Sequence, residues 1–354
     1  MTDTTTPMPP AAIEGPAAWR AADFAADEWV TRLTEAEVAE VEHAARRLAA
    51  GGGDLSAVRA GAFPLPVLGP RLAALLRDEV LEGRGFSVLR GLDPSRLSRR
   101  ENAAAFLGIG AHLGAFRPQN ALGHILGHVK DLGRASGDPT ARLYQTHERQ
   151  TYHTDSCDVV GLMCLRPAKA GGRSSLVSSV SLYNAIRATR PELAAVLFQP
   201  IETDRRGEAA PGEDPWFTIP VFNWCAGRFA GIYQRQYIES ARRFPQVAPL
   251  TPAQIEALDL LDALAEDPAL HIELDFRPGD IQLVNNHVLF HDRTAFEDWP
   301  DLERRRHLLR LWLAPPDAQP LPPVFAERFG TVTPGERGGV SVPSDRWIAP
   351  LDAE

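Results

Sequence analysis

The feature that most constrains the fold is a series of short apolar segments that begins at residue 158. Proline- and glycine-containing turns separate these segments, which read VVGLMCL, SSLVSSV, WFTIPVFNW, RFAGIYQ, HIELDF, DIQLVNN and RHLLRLWL. Helical patterns near 181–197 and 252–266 interrupt the series without a regular alternation of strand and helix. Short strands in this order favour a β-sandwich or β-barrel over a doubly wound parallel sheet.

The N-terminal third is predicted to consist of helices that pack on a first strand. Thr34 and Glu37 form a capping box at the start of an amphipathic segment that ends in a glycine run. A second helix, in PRLAALLRDEVLEG, is broken by Gly83 and Gly85 before a short apolar strand at 86–89.

The domain organisation follows from what separates these segments. We see no internal repeat and no convincing linker between residues 20 and 320 of the 354-residue chain. We therefore expect one domain over 16–354. Residues 1–15 lack the charged and apolar regions of a signal peptide, so we expect them to form a mobile tail.

The charge and the apolar runs exclude several classes of partner. A net charge of −9 and a pI near 5.6 oppose nucleic-acid binding, which needs clustered basic residues. No run approaches the roughly 18 to 20 apolar residues that cross a bilayer. The three cysteines show no C-x-x-C spacing, so they suggest neither a disulfide framework nor a zinc knuckle. We expect a cytoplasmic protein that acts on a small molecule, and a homo-oligomer is compatible with this sequence.

A candidate metal clamp lies in YHTDSC, where His153 and Asp155 are two residues apart. On an extended strand, residues i and i+2 face the same way, so both donor atoms can point at one ion. A third ligand would come from PGDIQLVNNHVLFHDR, which offers His287 and His291. Two histidines and one carboxylate are typical of non-haem Fe(II) oxygenases, and a zinc hydrolase can use the same ligands.

Two arginines in RRRHLLRLWL are candidate anion-binding residues. If the segment is a strand, Arg306 and Arg310 share one face with Leu308 and Trp312. The arginines would then lie roughly 13 Å apart, at about 3.3 Å per residue. Inward-facing guanidinium groups on an apolar strand are costly unless anions meet them, and each fits a carboxylate. The alternative is the cationic edge of a solvated sheet.

Two other histidine patterns compete with this clamp. His271 and Glu273 form a second His-x-carboxylate pair, although their neighbours are those of an ordinary alternating strand. His124 and His128 have the i, i+4 spacing of a helical metal site but lack the glutamate of the H-E-x-x-H pattern. We interpret both pairs as structural.

Taken in order, YHTDSCD, AGGRSSLVSSVSLYNAI, PGDIQLVNNHVLFHDR and RRRHLLRLWL resemble the taurine dioxygenase-like (TauD/TfdA) family of Fe(II)/2-oxoglutarate-dependent oxygenases. GRGFSVLRGL and GIGAHLGAFRPQN also look like the family's N-terminal portion. The resemblance implies a mainly β protein with flanking helices around a double-stranded β-helix, or jelly-roll, core. It implies that His153, Asp155 and His291 are the catalytic iron ligands, with His287 as a neighbour.

The resemblance also implies residues that bind 2-oxoglutarate. Arg306 matches the family's 2-oxoglutarate arginine. Ser174 falls on the position of a helper hydroxyl that is usually threonine, and the adjacent Ser175 is the alternative. Arg310 matches a position that binds an acidic group of the substrate in several members, although it could instead help to hold 2-oxoglutarate. Asn120 and Tyr237 are weaker candidates for substrate contacts.

The implied reaction is oxidation of a C–H bond in a small carboxylate-bearing or otherwise anionic molecule. O2 and 2-oxoglutarate are the implied co-substrates, and succinate and CO2 are released. An acidic ligand at Asp155 favours hydroxylation over halogenation, while desaturation or ring closure would use the same ligands. A catalytically silent protein that binds 2-oxoglutarate or iron, and a zinc hydrolase, are the alternatives of another class.

Overall fold

In the computed structural model, residues 8, 11–133, 143–210, 212–342 and 347–353 are described. The α-helices are Glu35–Ala50 (α1), Leu68–Leu75 (α2), Arg99–Ala111 (α3), Ser179–Thr189 (α4), Pro191–Leu197 (α5), Arg235–Ser240 (α6), Pro252–Ala265 (α7) and Ala326–Phe329 (α8). The strands are Val30–Arg32 (β1), Phe86–Arg90 (β2), Ala115–Phe116 (β3), Leu126–Val129 (β4), Gln150–His153 (β5), Val159–Arg166 (β6), Ala170–Gly171 (β7), Ser174–Ser178 (β8), Pro200–Asp204 (β9), Trp216–Pro220 (β10), Phe222–Cys225 (β11), Arg228–Gly231 (β12), His271–Leu274 (β13), Ile281–Asn285 (β14), Leu289–Arg293 (β15), Phe296–Glu297 (β16) and His307–Ala314 (β17).

Two sheets form the centre of the molecule. The larger has the order β1-β2-β14-β6-β17-β3, with β4 also paired to β17, and the smaller has the order β13-β8-β15-β5. Apart from the parallel pair β1–β2, the neighbours in both sheets are antiparallel. Non-consecutive strands lie side by side because the chain crosses between the sheets. This is the double-stranded β-helix core with flanking helices that the sequence predicts.

Strand β17 shows how one apolar sequence serves two sides of the larger sheet. Leu309, Leu311 and Leu313 pack with buried residues of α1, α2 and α3 in one core cluster. The alternate residues face the interior between the sheets, where Arg310 and Trp312 are also buried. Because side chains alternate along a strand, these leucines lie on one face of β17, and Arg310 and Trp312 lie on the other, as the spacing of the arginines predicts.

Several local predictions are confirmed. Thr34 and Glu37 form the capping box of α1, and their side chains accept reciprocal backbone hydrogen bonds. The strand expected at 86–89 is β2, and the helical patterns near 181–197 and 252–266 are α4, α5 and α7. WFTIPVFNW is not one strand but two: β10 ends at Pro220 and pairs with β9, while β11 pairs with β12. Proline offers no backbone N–H for a continuous ladder.

The N-terminal residues predicted as a mobile tail lie mostly outside the described part of the chain. Within that part, the N–H of Ile13 donates to Asn184 Oδ1 and Asn184 Nδ2 donates to the carbonyl of Ile13, both at 2.8 Å. The chain is therefore attached to α4 from this point onward. Among the described residues, no helix is both long enough and apolar enough to span a bilayer.

Candidate active site

The register of two antiparallel strands brings the central histidines together. His153 at the end of β5 is the direct partner of His291 in β15, and their ring centroids lie 4.1 Å apart. Asp155 follows just beyond β5, so it is not on the extended strand itself. One ligand atom from each of His153, Asp155 and His291 lies within 4.8 Å of the other two. His153 and His291, which are 138 residues apart in the sequence, thus belong to one compact cluster.

Asp155 is held from three directions. Its backbone N–H donates to Asn286 Oδ1 at 3.1 Å, while its Oδ2 accepts a hydrogen bond from Trp312 Nε1 at 2.9 Å and lies 3.4 Å from Arg310 Nη1. Burial favours the neutral acid, but the charge of Arg310 and the neighbouring histidines outweigh it and lower the pKa of Asp155. The side chain is therefore an oriented carboxylate, which is the form that binds a metal ion.

Both histidines of the cluster are neutral imidazoles. Burial lowers the pKa of His153, and burial together with the neighbouring His153 lowers the pKa of His291 to about 3. His153 Nδ1 donates to the carbonyl of Thr151 at 2.8 Å, which leaves the Nε2 lone pair to accept a hydrogen bond from Gln150 Nε2 at 2.8 Å. His291 Nδ1 is buried with no hydrogen-bond partner among the described residues.

This donor set fits Fe(II). Two imidazole nitrogens and one carboxylate oxygen form the facial triad of non-haem iron oxygenases, which leaves positions on the ion for other ligands. Neutral imidazoles and an ionised carboxylate need no proton loss before they bind.

An inner cavity is lined by the cluster and by Arg306. Its lining includes all three members of the cluster together with Ser174. Arg306 Nη1 is buried with no hydrogen-bond partner in the described part of the chain. Burial lowers the pKa of Arg306 to about 10, so the group is still a cation at neutral pH. A buried cation with an unused donor in the lining of a cavity fits the distal carboxylate of a dicarboxylic acid.

The surroundings of Arg306 fix its direction. Its guanidinium lies 5.2 Å from the centroid of the Phe296 ring, and its backbone N–H donates to Asp298 Oδ1 at 2.8 Å. A Cβ at Gly172 would lie 3.0 Å from Arg306 Nε, and the backbone of Gly172 has φ +69°, so only glycine suits this close approach.

The two serines of β8 point to opposite sides of the strand. Ser174 Oγ donates to Gln282 Oε1 at 3.0 Å and lines the inner cavity. Ser175 Oγ lies 2.6 Å from the hydroxyl of Tyr152 and donates to the carbonyl of Ile272 at 3.2 Å. Of the two hydroxyls suggested by the sequence, Ser174 is thus the one that faces Arg306.

A wider outer cavity opens on the other side of the cluster. Tyr237 and Arg310 are among its lining residues. Arg310 lines both cavities, with Nε donating to Gln119 Oε1 at 2.7 Å. Asn120 lines neither cavity: its Oδ1 accepts backbone hydrogen bonds from Leu122 and His124 in a turn.

The competing histidines have other partners. His287 Nε2 lies 2.7 Å from Asp158 Oδ1, and Arg337 Nε donates to the same oxygen at 2.8 Å. His271 Nδ1 bonds the carbonyl of Ala265, and His128 lies in β4 rather than on a helix, with Nδ1 2.8 Å from His307 Nε2. Among the described residues, the only group of three or more potential ligands is therefore that of His153, Asp155 and His291.

The site also contains residues that were not predicted from the sequence. Gln150 lies where the two cavities meet, and Arg293 lines the inner one. Burial and the charge of Arg306 lower the pKa of Arg293 to about 9. Arg293 follows His291 by two residues, so alternation along β15 would have found it. Arg206 and Arg328 line the outer cavity from distant segments and carry no such signal.

Comparison with known proteins identifies the family. The profile described as "Taurine catabolism dioxygenase TauD, TfdA family" matches residues 50–312. The chain belongs to this family. It is therefore an iron- and 2-oxoglutarate-dependent oxygenase. The family resemblance predicted from the ordered motifs is confirmed.

Curated relatives of this TauD/TfdA-family chain include bacterial and fungal proteins. FR-33289 synthase of Streptomyces rubellomurinus is 32% identical over 311 residues, covering 85% of this chain and 90% of the relative. Taurine hydroxylase-like protein SAT17 of Stachybotrys chartarum is 33% identical over 319 residues, covering 84% and 81%. A uridine-5'-phosphate dioxygenase of a Streptomyces species is 31% identical over 251 residues, covering 66% and 86%.

Solved structures share the fold. An asparagine oxygenase in complex with Fe(II), 2S,3S-3-hydroxyasparagine and succinate aligns with a TM-score of 0.62 at 20% identity, covering 81% of this chain and 93% of that chain. The non-haem iron oxygenase OrfP, in complex with Fe and alpha-ketoglutaric acid, aligns with a TM-score of 0.61 at 18% identity, covering 80% and 93%. The predicted jelly-roll class is confirmed by these neighbours.

Proposed function

We propose that the enzyme hydroxylates a C–H bond of a small anionic molecule bound in the outer cavity, using His153, Asp155 and His291 as the iron ligands. Bound iron, with 2-oxoglutarate and O2, supplies the oxidation of the C–H bond and the release of succinate and CO2. The observation that carries this proposal is that the ligand cluster borders two cavities, one of which is also lined by the buried guanidinium of Arg306.

The inner cavity is the proposed site of 2-oxoglutarate. Arg306 would bind the distal carboxylate through its unused Nη1, and the Ser174 hydroxyl, once turned away from Gln282, would add a donor from the opposite sheet. The aliphatic wall formed by Val129, Leu162 and Leu308 suits the two methylene groups of the same molecule. These contacts fix one end of the co-substrate and exclude water from its length.

The outer cavity is the proposed site of the substrate, with Arg310 and Tyr237 among the residues that face it. Arg310 already lies against Asp155, so an anion on the substrate would be guided to the edge of the iron site. Related structures contain hydroxyasparagine or hydroxyarginine, and a relative is named for uridine-5'-phosphate; all of these are small molecules with anionic groups. Asn120 stays a weaker prediction, because its side chain caps a turn.

The first experiment is absorbance spectroscopy of the protein with Fe(II) and 2-oxoglutarate in the absence of O2. We expect a visible charge-transfer band in the wild type. His153→Ala should abolish it, and Arg306→Ala should require far more 2-oxoglutarate, because the distal carboxylate loses its cation. His147→Ala, which changes a histidine whose side chain is 61% exposed, should leave the band intact.

The absence of a band in folded, iron-loaded wild type would overturn the proposal. A band without succinate release on any screened substrate would favour a silent binding protein. Product analysis by mass spectrometry separates hydroxylation, which adds one oxygen atom, from desaturation or ring closure, each of which removes two hydrogen atoms. The cytoplasmic location and a homo-oligomeric state stay predictions.

A further inference from the structure

A smaller side pocket adjoins the outer cavity. The residues that line both are Thr154, Ser156, Glu208, Gln234, Tyr237 and Arg328. Thr154 and Ser156 are the sequence neighbours of Asp155. The side pocket therefore lies beside the ligand cluster, on the side that the proposed substrate occupies.

One face of the β9–β10 hairpin forms the floor of the side pocket. Ile201 is the cross-strand partner of Ile219, and Thr203 is the partner of Phe217. Cross-strand partners lie on the same face of a sheet, and so do residues two apart on one strand. These four side chains are buried, and all of them line the side pocket. The alternation of these strands therefore presents a largely apolar surface to the pocket.

The side pocket lies between two apolar clusters. Ile201 and Ile238 belong to one core cluster. Phe217 and Ile219 belong to another, against which Ile232 packs. All five line the pocket. Because protein interiors are close-packed, apolar surfaces that face an opening forgo contacts that the apolar part of a ligand can supply.

The buried charged groups of the side pocket already have partners. Arg205 donates from Nε and from Nη2 to two backbone carbonyls, at 3.1 and 2.7 Å. The Asp204 carboxylate accepts a hydrogen bond from Ser240 Oγ at 2.6 Å. In the described part of the chain, no lining residue of this pocket has a buried polar side-chain atom without a hydrogen-bond partner, whereas Arg306 of the inner cavity does. The side pocket therefore suits an alkyl group better than an anion.

Tyr237 lies at the boundary between the outer cavity and the side pocket. The guanidinium of Arg206 lies 5.5 Å from the centroid of its ring. Arg206 has φ +54°, a left-handed conformation that strains a non-glycine residue. Its N–H donates to Asp204 Oδ1 at 2.8 Å, which fixes the turn after β9. The polar cavity and the apolar pocket thus share a boundary residue that contacts this turn.

We propose that the side pocket binds an alkyl group of the substrate, so that the enzyme acts on anionic molecules with an aliphatic chain. The anionic group lies in the outer cavity with Arg310, and the alkyl group lies between the β9–β10 face and Ile232. Ligand sites commonly combine an apolar lining with a few polar groups that fix orientation. This inference rests on the proposed function and names the substrate class of that site.

The test is calorimetric titration, without O2, of enzyme loaded with Fe(II) and saturating 2-oxoglutarate, which keeps other acids out of the inner cavity. The probes are straight-chain carboxylates from propionate to heptanoate. We expect affinity to rise about fourfold for each added methylene group until the pocket is filled, and then to level off. 4-Hydroxybutyrate, in which a hydroxyl replaces the terminal methyl group of valerate, should bind about tenfold more weakly than valerate.

Two substitutions at one position link this profile to the side pocket. Ile232 is half-buried, and its N–H donates to the carbonyl of Val221 at 2.9 Å, a backbone bond that both substitutions keep. Ile232→Phe should move the best-bound acid to a shorter chain, and Ile232→Ala should move it to a longer one. Propionate should bind both variants as it binds the wild type. Ile255→Phe, at a residue that is 41% exposed, is the matched control and should keep the wild-type profile.

Similar affinity for every acid, or no binding of any, would overturn the inference. A chain-length profile that neither Ile232 variant changes would overturn it as well. In each case a normal visible band with 2-oxoglutarate leaves the oxygenase site standing. Absence of the band in the wild type would instead overturn the proposed function, and this inference with it.

Discussion

The inner and outer cavities meet at one ligand cluster but are built in different ways. The inner cavity is lined mainly by strands of the two central sheets, and one of its arginines, Arg306, directly precedes β17. The outer cavity takes Arg206 from a loop and Arg328 from a short C-terminal helix. Loops on a rigid scaffold tolerate change better than sheet positions do. We therefore expect the substrate side to tolerate substitutions better than the co-substrate side.

The largest effect is expected where the two cavities meet. Asp155→Ala removes a ligand that borders both, so activity should fall to the detection limit and the visible band should disappear. Metal content after dialysis and succinate release measure the two losses. Because Asp155 accepts hydrogen bonds from Trp312 and Arg310, its loss also leaves two buried donors unpaired. Retained activity would remove Asp155 from the ligand set.

Arg306→Met should weaken the binding of 2-oxoglutarate without weakening that of the substrate. A methionine fills similar space but cannot bind a carboxylate, so the KM for 2-oxoglutarate should rise about 100-fold, as expected for a buried charge-assisted contact of about 3 kcal/mol. The KM for the substrate should change little. Steady-state kinetics with each compound varied in turn measures both values. Equal changes in the two would contradict the division into a co-substrate side and a substrate side.

Arg306 and Arg310, which line the inner cavity, could be predicted from the sequence for a physical reason. Strands repeat every two residues, so the spacing of Arg306, Leu308 and Arg310 already assigns them to one face. The choice between His287 and His291 could not come from spacing alone, because it depends on strand register: His291 faces His153 across the ladder, while His287 lies in the preceding turn against Asp158. Arg206 and Arg328 line the same cavity only through tertiary packing, which no local pattern encodes.

Trp312→Phe tests the support of the cluster itself. The ring volume is nearly kept, but Asp155 loses the hydrogen bond from Nε1. Outer partners of this kind typically change metal affinity by about 10- to 100-fold, so we expect iron binding to weaken within that range. Titration with Fe(II) and 2-oxoglutarate gives the value, and circular dichroism checks the fold. Unchanged affinity would mean that Arg310 and Asn286 orient Asp155 without Trp312.

Arg206→Gly should have the smallest effect on the fold and a selective effect on the outer cavity. Glycine relieves the left-handed strain, and its greater freedom in the unfolded chain offsets part of that gain. The free energy of unfolding should therefore stay the same or rise by up to about 1 kcal/mol. Urea denaturation measures it, with Arg206→Gln, which keeps the strain, as the control. Clear destabilisation by glycine would show that the Arg206 side chain supports the fold rather than the ligand.

The buried contact of Arg337 with Asp158 has a consequence for how the protein is made. Asp158 lies three residues after the ligand Asp155, whereas Arg337 comes from near the end of the chain, and both side chains are fully buried. Beside them, the N–H of Gly339 donates to the carbonyl of Ser156 at 2.7 Å. A nascent chain on the ribosome has both His153 and Asp155 long before it has the cation that neutralises Asp158. The segment that carries Asp155 can therefore reach its final packing only after residues 337–339 have been synthesised.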